Sequence, residues 1–504
     1  MLAKVHSFVL AGIEPVGCEV EVDVAEQGLP KTTIVGLPDA AVKESIERVR
    51  SAVTNCGYPF PWSRLLVNLA PADIRKEGPS FDLPIAIGLL LAERVIQTTR
   101  HERLLLAGEL ALDGRLRPVS GVINLALLCR QQQLDGVVVP KDNAQEASAV
   151  DNIAVYPAQS LGEVVGLLNE QQTIKPLATK NVDGHLAGAT ADIDFAEIRG
   201  QEAAKRALTV AAAGGHNLLM IGPAGTGKTM MAKALPGILP PLSREEALEV
   251  TRIYSSIGQV PRGQALLTRR PVRTPHHTAS GVAVVGGGTV PRPGEVSLAH
   301  HGVLFLDEMP EFGRSVLETL RQPMEDGQVT IARAHGSVQF PARFTLVAAM
   351  NPTPSGQSPN DPVSHRQMQR YLDRVSGPLI DRIDIHMEVP EVSYNQLTSQ
   401  ANGTDSCTMR HHVITARQRQ TQRNGSTLKP NCALGARELD RFSQLNKSAR
   451  MLLKQAMTEL GLSARAYDKV RRVSRTIADL DDSQTVEAPH VAEAIQYRLL
   501  DRKL

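Results

Sequence analysis

The middle of the chain reads Gly222-Pro223-Ala224-Gly225-Thr226-Gly227-Lys228-Thr229. The apolar run Asn217-Leu218-Leu219-Met220-Ile221 precedes it as a strand, and residues 230–235 follow it as a helix. The glycines let backbone N–H groups close around phosphate oxygens, where a side chain would clash, and a helix N-terminus adds partial positive charge. The lysine reaches the β- and γ-phosphates, and the last threonine ligates Mg²⁺. These eight residues therefore predict a phosphate-binding loop that uses ATP and Mg²⁺.

Two further apolar runs end in polar residues. The run Val303-Leu304-Phe305-Leu306 delivers Asp307 and Glu308 at its tip. We expect Asp307 to hold Mg²⁺ and Glu308 to polarise the attacking water. A third run, residues 344–350, ends at Asn351, whose amide can orient the same water or sense the γ-phosphate. Beside the phosphate loop, these side chains predict ATP hydrolysis.

Two arginines follow in positions that suit the same reaction. Arg382 comes after a short helix within residues 376–384, and Arg465 lies where residues 462–466 open a longer helix. An arginine presented to the γ-phosphate of a neighbouring subunit stabilises the charge of the transition state. We therefore expect both arginines to act on a shared phosphate.

Composition limits the classes of protein that remain possible. The chain has 504 residues, 42% of them hydrophobic, 3% aromatic, and a net charge of +2. An anionic partner must therefore meet local patches, and aromatic base-stacking platforms are not expected to dominate. Neither a cleavable N-terminal signal nor a bilayer-spanning apolar run is visible, which predicts a soluble cytoplasmic protein without a membrane partner. A reducing compartment also suits the scattered, odd-numbered cysteines, Cys18, Cys56, Cys129, Cys407 and Cys432.

The pattern along the chain predicts an α/β protein with several domains. Residues 1–170 alternate strand and helix patterns, and residues 171–192 form a polar linker. Residues 193–395 hold the phosphate loop and further strand–helix units, and residues 410–504 are strongly helical in pattern.

The chain resembles the AAA+ ATPases, in the branch of the magnesium-chelatase ATPase subunit and the helicase motors. The phosphate loop, Asp307-Glu308, Asn351, Arg382 and Arg465 stand in the order of Walker A, Walker B, sensor 1, arginine finger and sensor 2. The chain is more specifically similar to the ComM and YifB family of magnesium-chelatase-like competence proteins. The stretches that carry this similarity are residues 211–217, Thr274-Pro275-His276-His277-Thr278, residues 291–300 and residues 307–312.

This resemblance implies a hexameric ring of identical chains with ATP between the subunits. In such a ring Arg382 acts on the neighbour's nucleotide, with Arg374 as the alternative finger. Residues 410–504 become a helical lid that carries sensor 2. Many relatives have a cysteine-rich segment after the sensor asparagine, but Asn351 is followed here by Pro352-Thr353-Pro354-Ser355-Gly356-Gln357. A zinc site is therefore not expected there.

A basic segment between the two Walker motifs suggests what the ring holds. Residues 251–294 contain no Asp or Glu, and their arginines are Arg252, Arg262, Arg269, Arg270, Arg273 and Arg292. Residues 329–343 read as a hairpin with Arg333 near its tip. By the resemblance these are the helix-2 insert and the pre-sensor-1 hairpin, so Arg273, Arg292 and Arg333 are candidate contacts to a DNA backbone. An interdomain or intersubunit surface is the alternative, because arginine also suits interfaces.

Two histidine pairs raise the question of a metal site. The pairs are His276-His277 and His300-His301. Adjacent side chains on a strand or helix point apart, and no carboxylate–histidine triad accompanies them. We therefore expect no metal at either pair.

The N-terminal residues resemble the Lon-type (S5-type) protease domain, an α+β fold. The motif Lys76-Glu77-Gly78-Pro79-Ser80 places Ser80 at the nucleophile position, but the position of the activating lysine falls at Leu125. No lysine occurs between residues 104 and 140, and a serine without a base is not activated at neutral pH. We therefore expect a Lon-like fold that is not proteolytic.

Two functions remain. The first is an ATP-driven hexameric DNA motor or helicase that acts on single-stranded or branched DNA and promotes branch migration in homologous recombination or natural transformation, as the resemblance implies. The alternative is a magnesium-chelatase-like ATPase that remodels a protein or a metal-insertion partner. The chelatase motor shares both basic elements, so those elements alone do not decide between the two.

Overall fold

The computed structural model describes residues 1–25, 29–178, 193–333, 336–352, 374–393, 403–425, 429–498 and 500. It divides into two compact units. The first contains residues up to 178 together with Ser243–Thr268, and the second contains residues 193–242 and those from 269 onwards. The part of the chain that is described contains no helix long and apolar enough to cross a membrane.

The strands, in chain order, are β1 Leu2–Ala11, β2 Glu14–Val24, β3 Lys31–Val35, β4 Arg64–Ala70, β5 Leu104–Leu106, β6 Glu109–Leu110, β7 Leu116–Arg117, β8 Gly136–Pro140, β9 Ala154–Ala158, β10 Leu218–Ile221, β11 Val272–Arg273, β12 Gly286–Gly287, β13 Arg292–Pro293, β14 Val303–Leu306, β15 Gln328–Arg333, β16 Gly336–Pro341, β17 Thr345–Met350 and β18 Ile385–Glu388.

The helices, in chain order, are α1 Ala40–Asn55, α2 Asp82–Ala92, α3 Val122–Gln131, α4 Lys141–Ala147, α5 Leu161–Leu168, α6 Glu202–Gly214, α7 Lys228–Ala234, α8 Arg244–Ser256, α9 Gly281–Val285, α10 Glu295–Leu298, α11 Arg314–Thr319, α12 Arg321–Asp326, α13 Gly377–Ile380, α14 Ser406–Asn424, α15 Ala436–Phe442, α16 Lys447–Glu459, α17 Ala464–Leu480 and α18 Ala488–Gln496. Short 3₁₀ turns connect several of them.

The first unit is built on a seven-stranded mixed sheet. Its strand order is β3-β4-β2-β1-β5-β8-β9, with antiparallel pairing of β1 with β2 and of β2 with β4. The long β1–β2 hairpin runs from the pair Leu2–Asp23 to the pair Ala11–Glu14. Helix α2 packs so closely on this sheet that a Cβ at Gly88 would lie 2.6 Å from a Val22 methyl carbon. All of its residues are buried, as expected for a helix that is apolar on every side.

Helix α8 is the unexpected member of this unit. It begins with a capping box in which Ser243 Oγ accepts from the Glu246 backbone N–H, and Glu246 accepts from the Ser243 N–H. The helix then packs against α3, where the Gly121 N–H donates to the Ser255 carbonyl oxygen at 2.9 Å. The ATPase region predicted over residues 193–395 is therefore interrupted, because Ser243–Thr268 belong to the N-terminal unit.

The second unit contains a parallel five-stranded sheet in the order β11-β14-β17-β10-β18. The inner strands are fully buried, which explains their continuous apolar sequence. Helices α6, α14 and α17 pack together beside the sheet, and their apolar residues share one core with it. Two small antiparallel hairpins, β12–β13 and β15–β16, lie outside the sheet order.

Several sequence predictions can be compared directly with these elements. The run at 303–306 coincides with β14, and the runs at 217–221 and 344–350 contain β10 and β17. The hairpin expected over 329–343 is formed by β15 and β16. Residues 179–192 of the proposed linker, 394–402 before α14, and 353–357 after the sensor asparagine lie outside the described residues.

Candidate nucleotide site

The phosphate loop joins the carboxyl end of β10 to the first turn of α7. Gly225 and Gly227 have φ angles of 81° and 87°, in the left-handed region that favours glycine. Gly222 is required for a different reason than the sequence suggested. A Cβ there would lie 2.1 Å from the carbonyl oxygen of Val389, so the close packing of the chain after β18 excludes a side chain.

The Lys228 side chain folds against its own loop. Its Nζ donates to the carbonyl oxygens of Gly222 and Pro223, both at 2.7 Å, and to Asn351 Oδ1 at 3.3 Å. Burial lowers the pKa of Lys228, and the charges of Asp307 and Glu308 oppose that shift. The lysine and the sensor asparagine, which are 123 positions apart in sequence, thus meet at one point.

Thr229 and Asp307 form the second contact of the site. Thr229 Oγ1 donates to Asp307 Oδ2 at 2.7 Å. A hydroxyl and a carboxylate side by side are the oxygen donors that Mg²⁺ accepts in phosphate sites. These two residues, the predicted metal ligands, therefore fit the ion.

Glu308 is exposed and has a left-handed backbone, with φ of 50° and ψ of 47°. Its N–H donates to Asp307 Oδ1 at 3.1 Å. For a residue other than glycine, this backbone conformation costs on the order of 1 kcal/mol. The turn places the exposed Glu308 side chain at the carboxyl edge of the sheet, where Asn351 follows β17 and the phosphate loop follows β10.

Arg382 lies at the opposite edge of the same sheet. Asn217, just before β10, donates through Nδ2 to the Arg382 carbonyl oxygen at 3.3 Å and accepts from the Asp384 N–H at 3.1 Å. A four-residue strand spans roughly 13 Å, so the backbone of Arg382 and the phosphate loop lie at opposite ends of β10. The guanidinium pairs with Glu325 and donates to the Pro378 carbonyl oxygen at 2.6 Å.

Arg465 lies near the turn that carries Arg382. It occupies the first turn of α17, and its Nη1 is 3.9 Å from Asp381 Oδ2. Its side chain is 72% exposed, against 14% for that of Arg382. Arg374, the alternative finger, pairs with Glu311 at 3.1 Å, in the turn that follows Glu308.

The arginines between the Walker motifs have acidic or carbonyl partners that the local sequence did not reveal. Arg273 forms a two-bond pair with Glu295, at 2.6 and 2.8 Å. Arg270 donates to the carbonyl oxygens of Pro240, at 2.7 Å, and His301, at 2.6 Å. Arg273 therefore has to leave an existing ion pair before it can contact a phosphate.

Two of these arginines belong to the N-terminal unit. Arg252 pairs with Glu14 at 3.0 Å, and Arg262 lies 3.6 Å from Asp142. The expectation of one continuous phosphate-following segment therefore does not hold for residues 251–268. The acids that neutralise it come from sequence positions more than 100 residues away.

The other two candidate DNA contacts lie on the two small hairpins, Arg292 on β13 and Arg333 on β15. Arg292 is exposed on β13. Arg333 is the last residue of β15 and is paired in register with Gly336, and residues 334 and 335 of the hairpin tip lie outside the described residues.

The expectation that the side chains of each histidine pair point apart is wrong. The ring centroids of His276 and His277 are 4.1 Å apart, and those of His300 and His301 are 4.0 Å apart. Both pairs lie outside strands and helices, so neighbouring side chains do not alternate. Ring nitrogens have protein partners, because His276 Nδ1 lies 2.9 Å from Thr278 Oγ1 and His300 Nδ1 accepts from the Arg343 N–H at 3.0 Å.

In the N-terminal unit, Ser80 lies in a 3₁₀ turn before α2, and Leu125 is fully buried in α3. The nearest lysine in sequence to Ser80, Lys76, is buried, and its ammonium donates to the Pro71 carbonyl oxygen. Burial lowers the pKa of Lys76.

Sequence reasoning missed a buried polar cluster behind Arg382. Asp384 Oδ1 lies 3.3 Å from Lys469 Nζ, and Asp384 Oδ2 accepts from His216 Nδ1 at 3.1 Å. The histidine's other nitrogen lies 2.8 Å from Thr476 Oγ1. The sequence signal for this cluster was Lys469, a lysine among the apolar residues of α17, one turn after Arg465.

Comparison with known families covers both units. The family model described as "Magnesium chelatase, subunit ChlI" matches residues 194–397, "Subunit ChlI of Mg-chelatase" matches residues 20–143, and "Magnesium chelatase, subunit ChlI C-terminal" matches residues 403–498. The matched ranges include the phosphate loop, both Walker strands and the two arginines.

Among individual proteins, the chain is 46% identical over 508 residues to the competence protein ComM of Haemophilus influenzae, covering 100% of this chain and 98% of that protein. It is 43% identical over 507 residues to the uncharacterized protein YifB of Escherichia coli, with 100% and 98% covered. It is 29% identical over 176 residues to the magnesium-chelatase 38 kDa subunit of Rhodobacter capsulatus, with 31% and 50% covered.

Proposed function

The chain belongs to the ComM and YifB family of magnesium-chelatase-like AAA+ ATPases, and from this premise we propose that a ring of its copies hydrolyses ATP to move DNA. The proposal places the protein in the cytoplasm, a reducing compartment that suits its free cysteines.

The site divides the work of hydrolysis among a few side chains. Lys228 binds the β- and γ-phosphates, and Asn351, 3.3 Å from its ammonium, senses the γ-phosphate or orients the water. Glu308 accepts a proton from that water. Thr229 and Asp307 would hold Mg²⁺, which would neutralise phosphate charge there.

The observation that carries the ring is the placement of Arg382 and Arg465. Both lie at the amino edge of the sheet, whereas the phosphate loop lies at the carboxyl edge of the same chain. An arginine side chain reaches roughly 7 Å, less than the length of β10 with its loop. The arginines therefore complete the site of a neighbouring copy, and six copies close the ring that the family resemblance implies.

DNA is the proposed substrate of the motor. Arg292, exposed on β13, and Arg333, the last residue of β15, would supply positive charge, which suits contact with a phosphate backbone that is followed without sequence readout. Arg273 joins them when its pair with Glu295 opens. The proposed task is branch migration during recombination or natural transformation, in keeping with the word "competence" in the name of the relative from Haemophilus influenzae.

The N-terminal unit is proposed to have a Lon-like fold without peptidase activity, and the C-terminal helices are proposed to form the lid. Leu125 is buried where the family's lysine would stand, so Ser80 lacks its base. Casein cleavage that disappears in Ser80→Ala would contradict this reading.

The decisive experiment is ATP hydrolysis with and without DNA, followed by branch migration on synthetic three- and four-way junctions. We expect single-stranded or forked DNA to raise the hydrolysis rate severalfold. We also expect branch migration to convert the junctions into their separated products. Lys228→Ala should be inactive in both assays. A rate that ignores DNA favours the chelatase-like alternative. The ion pair between Arg273 and Glu295 also supports that alternative, because it leaves Arg273 less available to DNA. In that case we expect a protein or metal-insertion partner to stimulate ATP hydrolysis.

A further inference from the structure

We propose that Lys469 is a positioning residue for this hydrolysis: its buried ion pair with Asp384 fixes the start of α17 to the turn that carries Arg382, so that Arg382 and Arg465 reach the neighbouring copy as one rigid body. The inference rests on the proposed function, because it assumes that the two arginines act on a neighbour's nucleotide.

The first support is the spacing of charges on two facing elements. Arg465 and Lys469 are four residues apart on α17 and therefore share one helix face. Opposite them, Asp381 lies 3.9 Å from Arg465 and Asp384 lies 3.3 Å from Lys469. The two acids flank Arg382 in sequence, so the paired face of α17 lies directly against the arginine turn.

The second support is that Lys469 also holds the backbone of this turn. Its Nζ donates to the Ile383 carbonyl oxygen at 3.0 Å. Arg498, from the turn after α18, donates to the same oxygen at 2.7 Å and to the Asp384 carbonyl oxygen at 3.3 Å. Two cations from the C-terminal helices thus fix the peptide groups immediately after Arg382.

The third support is the link from Asp384 to the sheet. His216, which precedes β10, donates to the second carboxylate oxygen of Asp384 at 3.1 Å. The side chains of Lys469 and Asp384 are only 9% and 10% exposed. Burial alone would raise the pKa of Asp384, but the charge of Lys469 and the hydrogen bond from His216 hold that pKa well below its usual range. The carboxylate is therefore ionised and shared between the sheet and α17.

Net stability does not account for such an arrangement. A buried ion pair contributes little compared with an apolar pair of similar volume, whereas it strongly restricts how two elements can be placed. The position of Arg465 is the one that needs to be restricted, because its side chain is 72% exposed and its ion pair with Asp381 is long at 3.9 Å. Arg382 has its own bonds to Glu325 and Pro378. Lys469 therefore acts mainly by keeping Arg465 beside Arg382.

The test uses Lys469→Met in the full chain, with Lys454→Met as the matched control, since Lys454 is exposed on the neighbouring helix α16. We expect Lys469→Met to lower kcat for ATP on the order of ten- to a hundredfold while KM changes by less than about threefold, because arginine placement is lost and the phosphate loop is intact. Lys454→Met is expected to match the wild type. Lys469→Arg, which keeps the charge, is expected to recover most of the rate.

Mixed rings distinguish positioning from a general structural role. Lys228→Ala chains cannot bind nucleotide but keep their arginines, so they are expected to restore hydrolysis in the sites of Lys469→Met chains. Arg382→Ala chains are expected to give no such recovery. If Lys469→Met does not fold, Lys469→Gln, whose amide can still donate to the Ile383 carbonyl, is used in the same mixtures.

Three outcomes have separate meanings. A wild-type rate in Lys469→Met overturns the inference, and so does a low rate that Lys228→Ala chains fail to restore. A wild-type chain that does not hydrolyse ATP, or Arg382→Ala and Arg465→Ala variants that both hydrolyse it normally, refutes the proposed function instead, whatever Lys469→Met does.

Discussion

Arg252 and Asn124 exchange two hydrogen bonds: Arg252 Nε donates to Asn124 Oδ1 at 3.0 Å, and Asn124 Nδ2 donates to the Arg252 carbonyl oxygen at 3.3 Å. One residue lies in α8, shortly after the phosphate-loop helix in sequence, and the other lies in helix α3 of the N-terminal unit. The N-terminal unit is therefore completed by a helix that the sequence assigns to the ATPase region.

Removal of the Arg252 side chain should destabilise the N-terminal unit. Arg252→Ala leaves the fully buried Asn124 amide without its charged partner, which costs about 2 kcal/mol. Arg262→Ala is the control, because the Arg262 side chain is 78% exposed and 3.6 Å from its acid. Urea unfolding of both variants, followed by circular dichroism, measures the difference, and equal midpoints would contradict this account of α8.

Glu146 should make the stability of this unit depend on pH. Its carboxylate accepts from the Ile123 N–H at 3.0 Å and from the Ser255 hydroxyl, and burial raises its pKa. The folded chain therefore holds a proton that the unfolded chain releases above about pH 4.3, so this contribution to stability is lost as pH rises through the raised pKa.

Glu146→Gln keeps both acceptor contacts and removes the charge. We expect its melting temperature to exceed that of the wild type by about 2–4 °C at pH 8, corresponding to ~1 kcal/mol. The gap should narrow when both proteins are melted at pH 5. A gap that widens towards low pH would show that the carboxylate, not the acid, is the favoured form in the folded chain.

Lys228→Ala should abolish nucleotide binding. The lysine supplies the side-chain charge at the phosphate loop, and its loss should weaken the binding of a fluorescent ATP analogue by at least about a hundredfold, or roughly 3 kcal/mol. Lys233→Ala, an exposed lysine in the same helix, is the matched control and should bind normally. Similar affinities in the two variants would argue against this loop as the nucleotide site.

Glu308→Gln should bind ATP and fail to turn it over. The amide preserves the shape of the side chain but cannot accept a proton from water, so kcat should fall on the order of a hundredfold or more while ATP affinity is retained. Single-turnover hydrolysis measures the chemical step directly. Normal turnover would assign the base to another residue.

Arg382→Ala should allow assembly yet abolish hydrolysis, with recovery in mixtures with Lys228→Ala chains, because a neighbour supplies the missing arginine. Arg374→Ala is the discriminating companion, since Arg374 is bound to Glu311 close to Glu308. If Arg382→Ala hydrolyses ATP normally and Arg374→Ala does not, the finger is Arg374.

Local sequence was sufficient to predict which residues meet at the candidate nucleotide site. The phosphate loop, β14 with Asp307, and β17 with Asn351 were predicted from apolar runs that end in polar residues, and these residues do approach each other, as the Thr229–Asp307 and Lys228–Asn351 contacts show. Parallel strands bring their carboxyl ends to one edge, so a short-range pattern already implies the meeting of residues distant in sequence. The predicted family is confirmed.

Only the tertiary structure decided the partners of the charged residues. The segment around Arg252 looked like an unopposed basic insertion because Glu14, which neutralises it, lies 238 positions away. The same is true of Lys469 and Asp384, whose pairing depends on how α17 packs against the turn before β18.

The sequence alone determined the conformation of the predicted phosphate loop, because glycine conformation, strand length and helix start are set by neighbouring residues. The tertiary structure decided that α8 packs in the N-terminal unit and that Arg382 and Arg465 share one edge of the sheet. Both features depend on ion pairs and packing contacts between residues that are distant in sequence. The energies of these contacts depend on the distance between atoms, and the atoms come close only once the chain is folded.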